Sequence, residues 1–434
     1  MKAALRSASL PLGLSVWRGL TAAASPFARL LLSERAARGK EDRARLNERL
    51  GIASSPRPAG RLYWVHGASV GESLAAVPLI ERLLTHGTVL VTSGTVTSAR
   101  IMEQRLPKGA IHQFVPLDIP KAVTRFFDHW RPDAGLFVES DLWPNLLLAA
   151  KERGTRLVLI NARISEKSAS GWKRAPHSGR ALIETFDMVL PQDEEIAARF
   201  RGLGARHIQV VGSLKADAPP LACDPAALEA LKKEIGGRPL LIAAQTHPGE
   251  DETILPAHDI LRRRFPKLLT IIVPRHVERG ADIAMLAGPR KAARRSLHEP
   301  LTAETEIYIG DTMGELGLFY RLASFCFIGG TLVPLGGHNP LEPALLHCAL
   351  LCGPHRANAA RAYDAILSAQ TFGLVQSAAN IAREAARLLE NPAAALAAGE
   401  AAARGAATQA GAVGRTIAVL DTLLTPGLRQ DARA

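Results

Sequence analysis

Three glutamates in this chain each stand three residues after a small polar residue, with glycine between or beside them. They occur in His66-Gly-Ala-Ser-Val-Gly-Glu72, Gly310-Asp-Thr-Met-Gly-Glu315 and Gly336-Gly-His-Asn-Pro-Leu-Glu342. Ser69 and Glu72, Thr312 and Glu315, and Asn339 and Glu342 have the spacing of a helix capping box, which by itself only starts a helix. All three stretches follow short apolar runs, however, and all contain glycine. A cap does not require glycine; a backbone that approaches a phosphate does. Residues 329–343 are the most telling. They pass from an apolar run at 325–328 through a glycine-rich loop into a helical pattern at 341–346. Asn339 occupies the expected N-cap and Pro340 the first helical position. Free N–H groups at such a helix start suit an anion, and Glu342 suits the vicinal hydroxyls of a ribose. Phosphate and sugar side by side point to a nucleotide-sugar enzyme.

Other residues with chemical potential also follow apolar runs. Pro274, Arg275, His276 and Arg279 come after 268–273, and an arginine fork matches phosphate oxygens in pairs. A solvated basic loop is the plainer alternative there. Glu139 and Asp141 follow 136–138, Asn161 and Arg163 follow 157–160, and Lys215 closes Val211-Gly-Ser-Leu-Lys215. Gly67-Ala-Ser-Val-Gly71 also fits the nucleophile elbow of a serine hydrolase, with His66 nearby. That reading leaves the nucleotide-like loops unexplained. Neither H-E-x-x-H nor a paired-histidine spacing is present, so no catalytic metal or cofactor is expected.

The elements that must position these residues alternate in type. Apolar strand candidates at 62–65, 88–91, 111–115, 136–138, 157–160, 188–190 and 208–211 are separated by helical patterns. A second series lies at 240–243, 268–273, 307–309, 325–328, 350–351 and 373–375. Such alternation means βαβ units and parallel sheets. Three prolines between Ala216 and Pro225 mark a linker. The expected organisation is an N-terminal helical segment at 1–50, one doubly wound domain at 51–217, a linker at 218–225 and a second such domain at 226–425. Ligands of such sheets sit beyond the C-terminal strand ends, here in a cleft between the domains. The Ala-rich stretch 377–412 reads as helices around a turn at Asn391-Pro392.

Charge narrows the partners. The 434 residues carry 53 Lys and Arg against 41 Asp and Glu, a formal net charge of +12, which suits an anionic partner. The excess is concentrated at 1–50 and at 262–295. Neither block interleaves aromatic residues as a nucleic-acid groove would, so nucleic acid is not an expected partner. Four cysteines are too few for a disulfide framework. Near the N-terminus Trp17, Leu20, Ala24, Phe27 and Leu31 recur at helical spacing among arginines. This pattern fits an amphipathic helix lying on an anionic membrane surface. A signal peptide (Lys2 and Arg6, then Ala22-Ala-Ala24) and an ordinary helix packed on its own domain are the alternatives.

Taken together, these motifs resemble the 3-deoxy-D-manno-octulosonic acid (Kdo) transferases. The resemblance rests on Ala68-Ser-Val-Gly-Glu72, Glu139-Ser-Asp-Leu-Trp-Pro-Asn145, Asn161-Ala-Arg163, Gly212-Ser-Leu-Lys215, Pro274-Arg-His-Val-Glu-Arg279, Gly310-Asp-Thr-Met-Gly-Glu-Leu316 and Gly336-Gly-His-Asn-Pro-Leu-Glu342, in the family's order over about residues 35–425. It implies a GT-B fold: two Rossmann-like domains, acceptor in the first and CMP-Kdo in the second. It implies inverting transfer of Kdo to the lipid A precursor without metal, at the cytoplasmic face of the bacterial inner membrane. Glu72 would be the general base, with Glu139 and Lys215 stabilising the transition state. Pro274, Arg275, His276, Met313, Gly314, Glu315, Asn339, Pro340, Leu341 and Glu342 would hold CMP. Ser69, Gly71, Asn161 and Arg163 are acceptor-side candidates. The helix start at Glu72 is expected to lower its pKa. The rivals are a nucleotide-sugar epimerase of the same fold and a non-catalytic nucleotide-sugar or lipid-binding protein.

Overall fold

The computed structural model describes residues 10–424. Lys2, Arg6 and residue 425, the expected end of the second domain, lie outside that range. The chain forms two units: Met1–Ala218 with the segment from Gly411 onward, and Pro219–Ala410. The expectation of a second domain running to 425 is therefore corrected. Helix Ala412–Leu424 belongs to the first unit, where Ile417, Val419 and Leu420 join its core.

The first unit is built on β1 (Leu62–Gly67), β2 (Thr88–Ser93), β3 (Ala110–Phe114), β4 (Ala134–Val138), β5 (Arg156–Ala162) and β6 (Met188–Pro191). All pair in parallel, in the order β3-β2-β1-β4-β5-β6. Parallel strands are covered on both faces, which is why their sequences are nearly unbroken apolar runs. The two-residue period of a strand divides β1 between the layers. Trp64 enters the core that contains Phe126, Phe127 and Phe137, whereas Tyr63 and Val65 face the core that contains Leu79, Ile80 and Leu420.

The second unit contains β7 (Leu240–Thr246), β8 (Leu269–Pro274), β9 (Ala292–Arg294), β10 (Ile307–Ile309), β11 (Phe325–Ile328) and β12 (Ala349–Cys352). These are parallel in the order β12-β11-β7-β8-β10-β9. Two expected strands are not strands. Segments 208–211 and 373–375 contribute only the isolated bridges Val189–Ile208 and Cys352–Leu374. The Ala-rich stretch does form two helices, Ala378–Glu390 and Pro392–Ala407, around Asn391. The proline-rich linker packs closely: a side chain at Gly317 would meet the Ala222 carbonyl at 2.4 Å.

Each sheet has a central switch point, where the chain changes direction of growth across the sheet. It lies between β1 and β4 in the first unit and between β7 and β11 in the second. Loops leave the sheet on opposite faces there, so a crevice opens beyond the strand ends.

Helices Leu12–Ala24 and Ala28–Ala37 pack on the first unit through buried Leu14, Ala28 and Leu32. The Trp17 indole N–H donates to Asp118 Oδ2 at 2.9 Å, and Asp118 also accepts from the backbone N–H groups of Asn145 and Leu146. The expected stripe faces outward: Leu20, Phe27 and Leu31 are 65, 67 and 51% exposed. Among the described residues no helix is long and apolar enough to cross a membrane.

Candidate active site

The β1–β4 switch point gathers acidic and basic side chains of the first unit. After β1 the chain turns into helix Val70–Leu83, with Ser69 at the N-cap. Ser69 Oγ accepts from the Glu72 N–H at 3.3 Å and donates to Glu72 Oε1 at 2.8 Å. Glu72 Oε2 accepts the Ala68 N–H at 2.8 Å, so the carboxylate folds back over the loop. The N-cap half of the capping box therefore forms, while the Glu72 side chain reaches one residue further back, to the Ala68 N–H, which fixes a half-buried carboxylate at the strand end.

The expected lowering of the Glu72 pKa is overturned. Burial raises it, and although the Ser69 and Ala68 hydrogen bonds oppose this, the charges of Glu139 and Asp141 push it up further. The helix start supplies a local favourable field, but partial desolvation and two like charges from β4 outweigh it.

Glu139 sits directly after β4 at φ 64°, a left-handed conformation unusual for its side-chain type. Its N–H bonds the Ile160 carbonyl, and its carbonyl accepts the Arg163 N–H. Its carboxylate pairs with Lys215 Nζ at 2.9 Å. Lys215 is brought there by Asn161, which is fully buried at φ 49° and accepts the Leu214 N–H at 3.0 Å. Arg163 thus meets Glu139 through its backbone, and Gly71 lies exposed in the first turn of the Glu72 helix. His66 was not expected to contribute except in the hydrolase reading. Its buried ring bonds Asp141 Oδ2 at 3.2 Å and Thr92 Oγ1 at 2.9 Å. Ser69 Oγ bonds Glu72 instead of His66, so no serine triad is assembled.

In the second unit the β7–β11 switch point joins Gln245-Thr-His247 to the glycine-rich loop. His247 Nε2 and His338 Nε2 are 2.8 Å apart, and Gln245 Nε2 donates to Glu342 Oε2 at 3.4 Å. Burial, with the neighbouring positive groups His247, Arg275 and His276, pushes His338 down to about 4. The loop amides are not open to an anion as expected. The fully buried Glu250 carboxylate already accepts the N–H groups of Gly330, Thr331, Leu332 and His247. Sequence reasoning missed this lock, although the adjacent Asp251 and Pro248-Gly249 hint at a loop leading into a helix.

The helix after the loop is also shorter than expected. It covers only Leu341–Ala344, with Pro340 at the cap position, so the Asn339–Pro340 assignment shifts by one residue. Asn339 Oδ1 still accepts the Leu341 N–H at 3.2 Å, and Asn339 Nδ2 donates to Glu342 Oε1 at 3.2 Å.

Thr312 is not a cap either, because Glu315 itself precedes helix Leu316–Tyr320. The Glu315 carboxylate takes a forked pair from Arg295 and a hydrogen bond from Thr312, which together hold it below its usual pKa. This leaves Met313 and Gly314 exposed at the tip, with Gly314 at φ 85°. Pro274 is buried at the end of β8, whereas Arg275 and His276 are exposed just beyond it.

The 262–295 block is largely neutralised. Arg262, Arg264, Arg279, Arg290, Lys291, Arg294 and Arg295 each pair with a carboxylate from elsewhere in the second unit. Its formal excess therefore overstates its attraction for a distant anion.

Comparison with known proteins bears on what these residues serve. Residues 44–218 match the family described as 3-Deoxy-D-manno-octulosonic-acid transferase (kdotransferase). A probable mitochondrial 3-deoxy-D-manno-octulosonic acid transferase of Arabidopsis thaliana is 36% identical over 393 residues, 87% of this chain and 88% of its own length. The 3-deoxy-D-manno-octulosonic acid transferase of Rickettsia bellii is 35% identical over 333 residues, 76% of this chain and 78% of its own. A glycosyltransferase structure from Rickettsia africae shares the fold at TM-score 0.59 and 10% identity, covering 85% of this chain and all of that one. With two parallel Rossmann-like sheets the fold is GT-B, and at this level of identity over most of its length the chain belongs to the 3-deoxy-D-manno-octulosonic acid transferase family of glycosyltransferases.

Proposed function

We propose that this enzyme transfers Kdo from CMP-Kdo to the lipid A precursor, with inversion and without metal, while seated on the cytoplasmic face of the bacterial inner membrane. Glu72 is the general base. Its ionised carboxylate takes the proton from the accepting hydroxyl as that oxygen attacks the anomeric carbon of Kdo, and CMP departs with the bonding electrons. The pair Glu139–Lys215 fixes an ammonium near the reacting groups, where it offsets negative charge. Ser69 and Gly71 shape the loop that presents Glu72. Asn161 and Arg163 support the pair from β5. In the second unit Pro274, Arg275, His276, the Met313–Glu315 tip and the segment from Asn339 to Glu342 hold the donor. Arg275 meets phosphate, and Glu342, steadied by Asn339 and Gln245, meets ribose hydroxyls.

The observation that carries this reading is the half-buried Glu72 carboxylate at the β1 end, its pKa raised by burial and by Glu139 and Asp141, in a chain of this family. A carboxylate whose pKa is raised is the better proton acceptor. Incubating the protein with CMP-Kdo and lipid A precursor, then weighing the lipid, is the direct test. We expect a mass gain of one or more Kdo residues. In Glu72→Gln the gain should disappear while CMP-Kdo binding persists, and full activity in that variant would refute the base. The outward stripe Leu20, Phe27 and Leu31 supports membrane seating. Changing the three to glutamate should abolish co-sedimentation with anionic liposomes; undiminished sedimentation would count against it.

A further inference from the structure

Beside the carboxylate cluster, the first unit carries a cavity of about 230 Å³ that no role above uses. Its walls come from the segment after β4 and from helix Glu166–Lys173. Trp143, 42% exposed, stands at the start of helix Pro144–Glu152. Trp172 lines the other wall, together with Ser168, four residues earlier on the same helix. Gly179 lets the Trp172 ring lie close: a side chain there would meet Trp172 Cβ at 3.3 Å. Asp141 completes the lining, one oxygen held by His66 at 3.2 Å and the other without a hydrogen bond among the described residues.

These groups select a class of ligand. Indole faces cover the C–H side of a pyranose, while a carboxylate and a serine hydroxyl receive its hydroxyls. The volume is below the roughly 300–1,000 Å³ of sites for drug-sized ligands, which limits the occupant to about one ring. An acyl chain would leave Asp141 buried against hydrocarbon, and a phosphate would meet its negative charge. Nucleotide binding is disfavoured for the same reason.

We infer that the cavity bounded by Trp143, Trp172 and Asp141 is a monosaccharide subsite, holding the pyranose ring that bears the accepting hydroxyl. Asp141 joins the two functions, because it lines the cavity and its charge acts on Glu72. Trp143 and Trp172 are then specificity residues for the acceptor and take no part in proton transfer. This rests on the transferase reading above.

The test uses the full chain. Trp143→Ala should raise KM for lipid A precursor about tenfold while leaving KM for CMP-Kdo unchanged, and Trp143→Tyr should restore most of the loss. An unchanged acceptor KM, or equal rises for both substrates, would overturn the subsite. A second measurement needs no turnover. The protein has five tryptophans, of which Trp64 and Trp130 are fully buried. With all five replaced by 5-fluorotryptophan, titration with the de-acylated glucosamine disaccharide of the precursor should shift the Trp143 and Trp172 fluorine resonances alone. No shift at either would overturn the inference. Absence of Kdo transfer by the unaltered protein, with those shifts present, would instead sink the transferase reading and leave the subsite standing.

Discussion

Asp141 shows how a single charge two residues beyond Glu139 acts on chemistry elsewhere. Its carboxylate bonds His66 and raises the Glu72 pKa. Asp141→Asn removes that like charge, so the Glu72 pKa falls towards the ordinary carboxylate value. In the proposed role of general base Glu72 works in its ionised form, so the acidic limb of the kcat/KM profile should move to lower pH. Burial, the largest cause, is untouched, so part of the elevation should remain. A pH profile of the variant decides this; a limb that stays in place or moves upward would contradict it. The position of Glu72 was legible in the sequence, since Ser-x-x-Glu after an apolar run fixes both cap and strand end. The direction of its pKa was not. That depended on Glu139 and Asp141, delivered by a strand some seventy residues later, and a local argument from the helix start could not include them.

At the level of elements, loops are held by side chains that look unremarkable in sequence. Glu250 accepts four backbone N–H groups, three of them from the glycine-rich loop. Glu250→Gln replaces an acceptor oxygen by a donor and leaves buried amides unpaired. We expect a loss of about 1–3 kcal/mol in unfolding free energy of the second unit, with weaker CMP-Kdo binding. Calorimetric unfolding and donor titration together check it, and an unaltered transition would refute the lock. Strand β9 illustrates the same limit on legibility. Its sequence, Ala-Ala-Arg, has no apolar run, so neither the strand nor the forked pair from adjacent Arg295 to Glu315 was foreseen. By contrast, the strands on either side of both switch points were legible, because burial on two faces demands continuous apolar residues.

For the molecule as a whole, the decisive element is helix Ala412–Leu424. Leu420, 2% exposed, lies in the core shared with Val65, Leu79 and Ile80. Leu420→Ala should cost the first unit about 2–5 kcal/mol. Every tryptophan of the chain belongs to that unit, so fluorescence-monitored urea unfolding isolates it. A midpoint equal to that of the unaltered protein would show that the helix is dispensable. The sequence placed this helix with the second domain because it follows without a proline-rich break. Only its apolar face, matched to a sheet more than three hundred residues upstream, reveals the allegiance.

The same return of the chain sets an order of events on the ribosome. The half that presents Glu72 emerges before the other, yet it must wait with part of its core uncovered until helix Ala412–Leu424 is made. The second unit, Pro219–Ala410, inserted as a continuous cassette, can mature meanwhile. Of the two units, the one begun first is therefore the later to close.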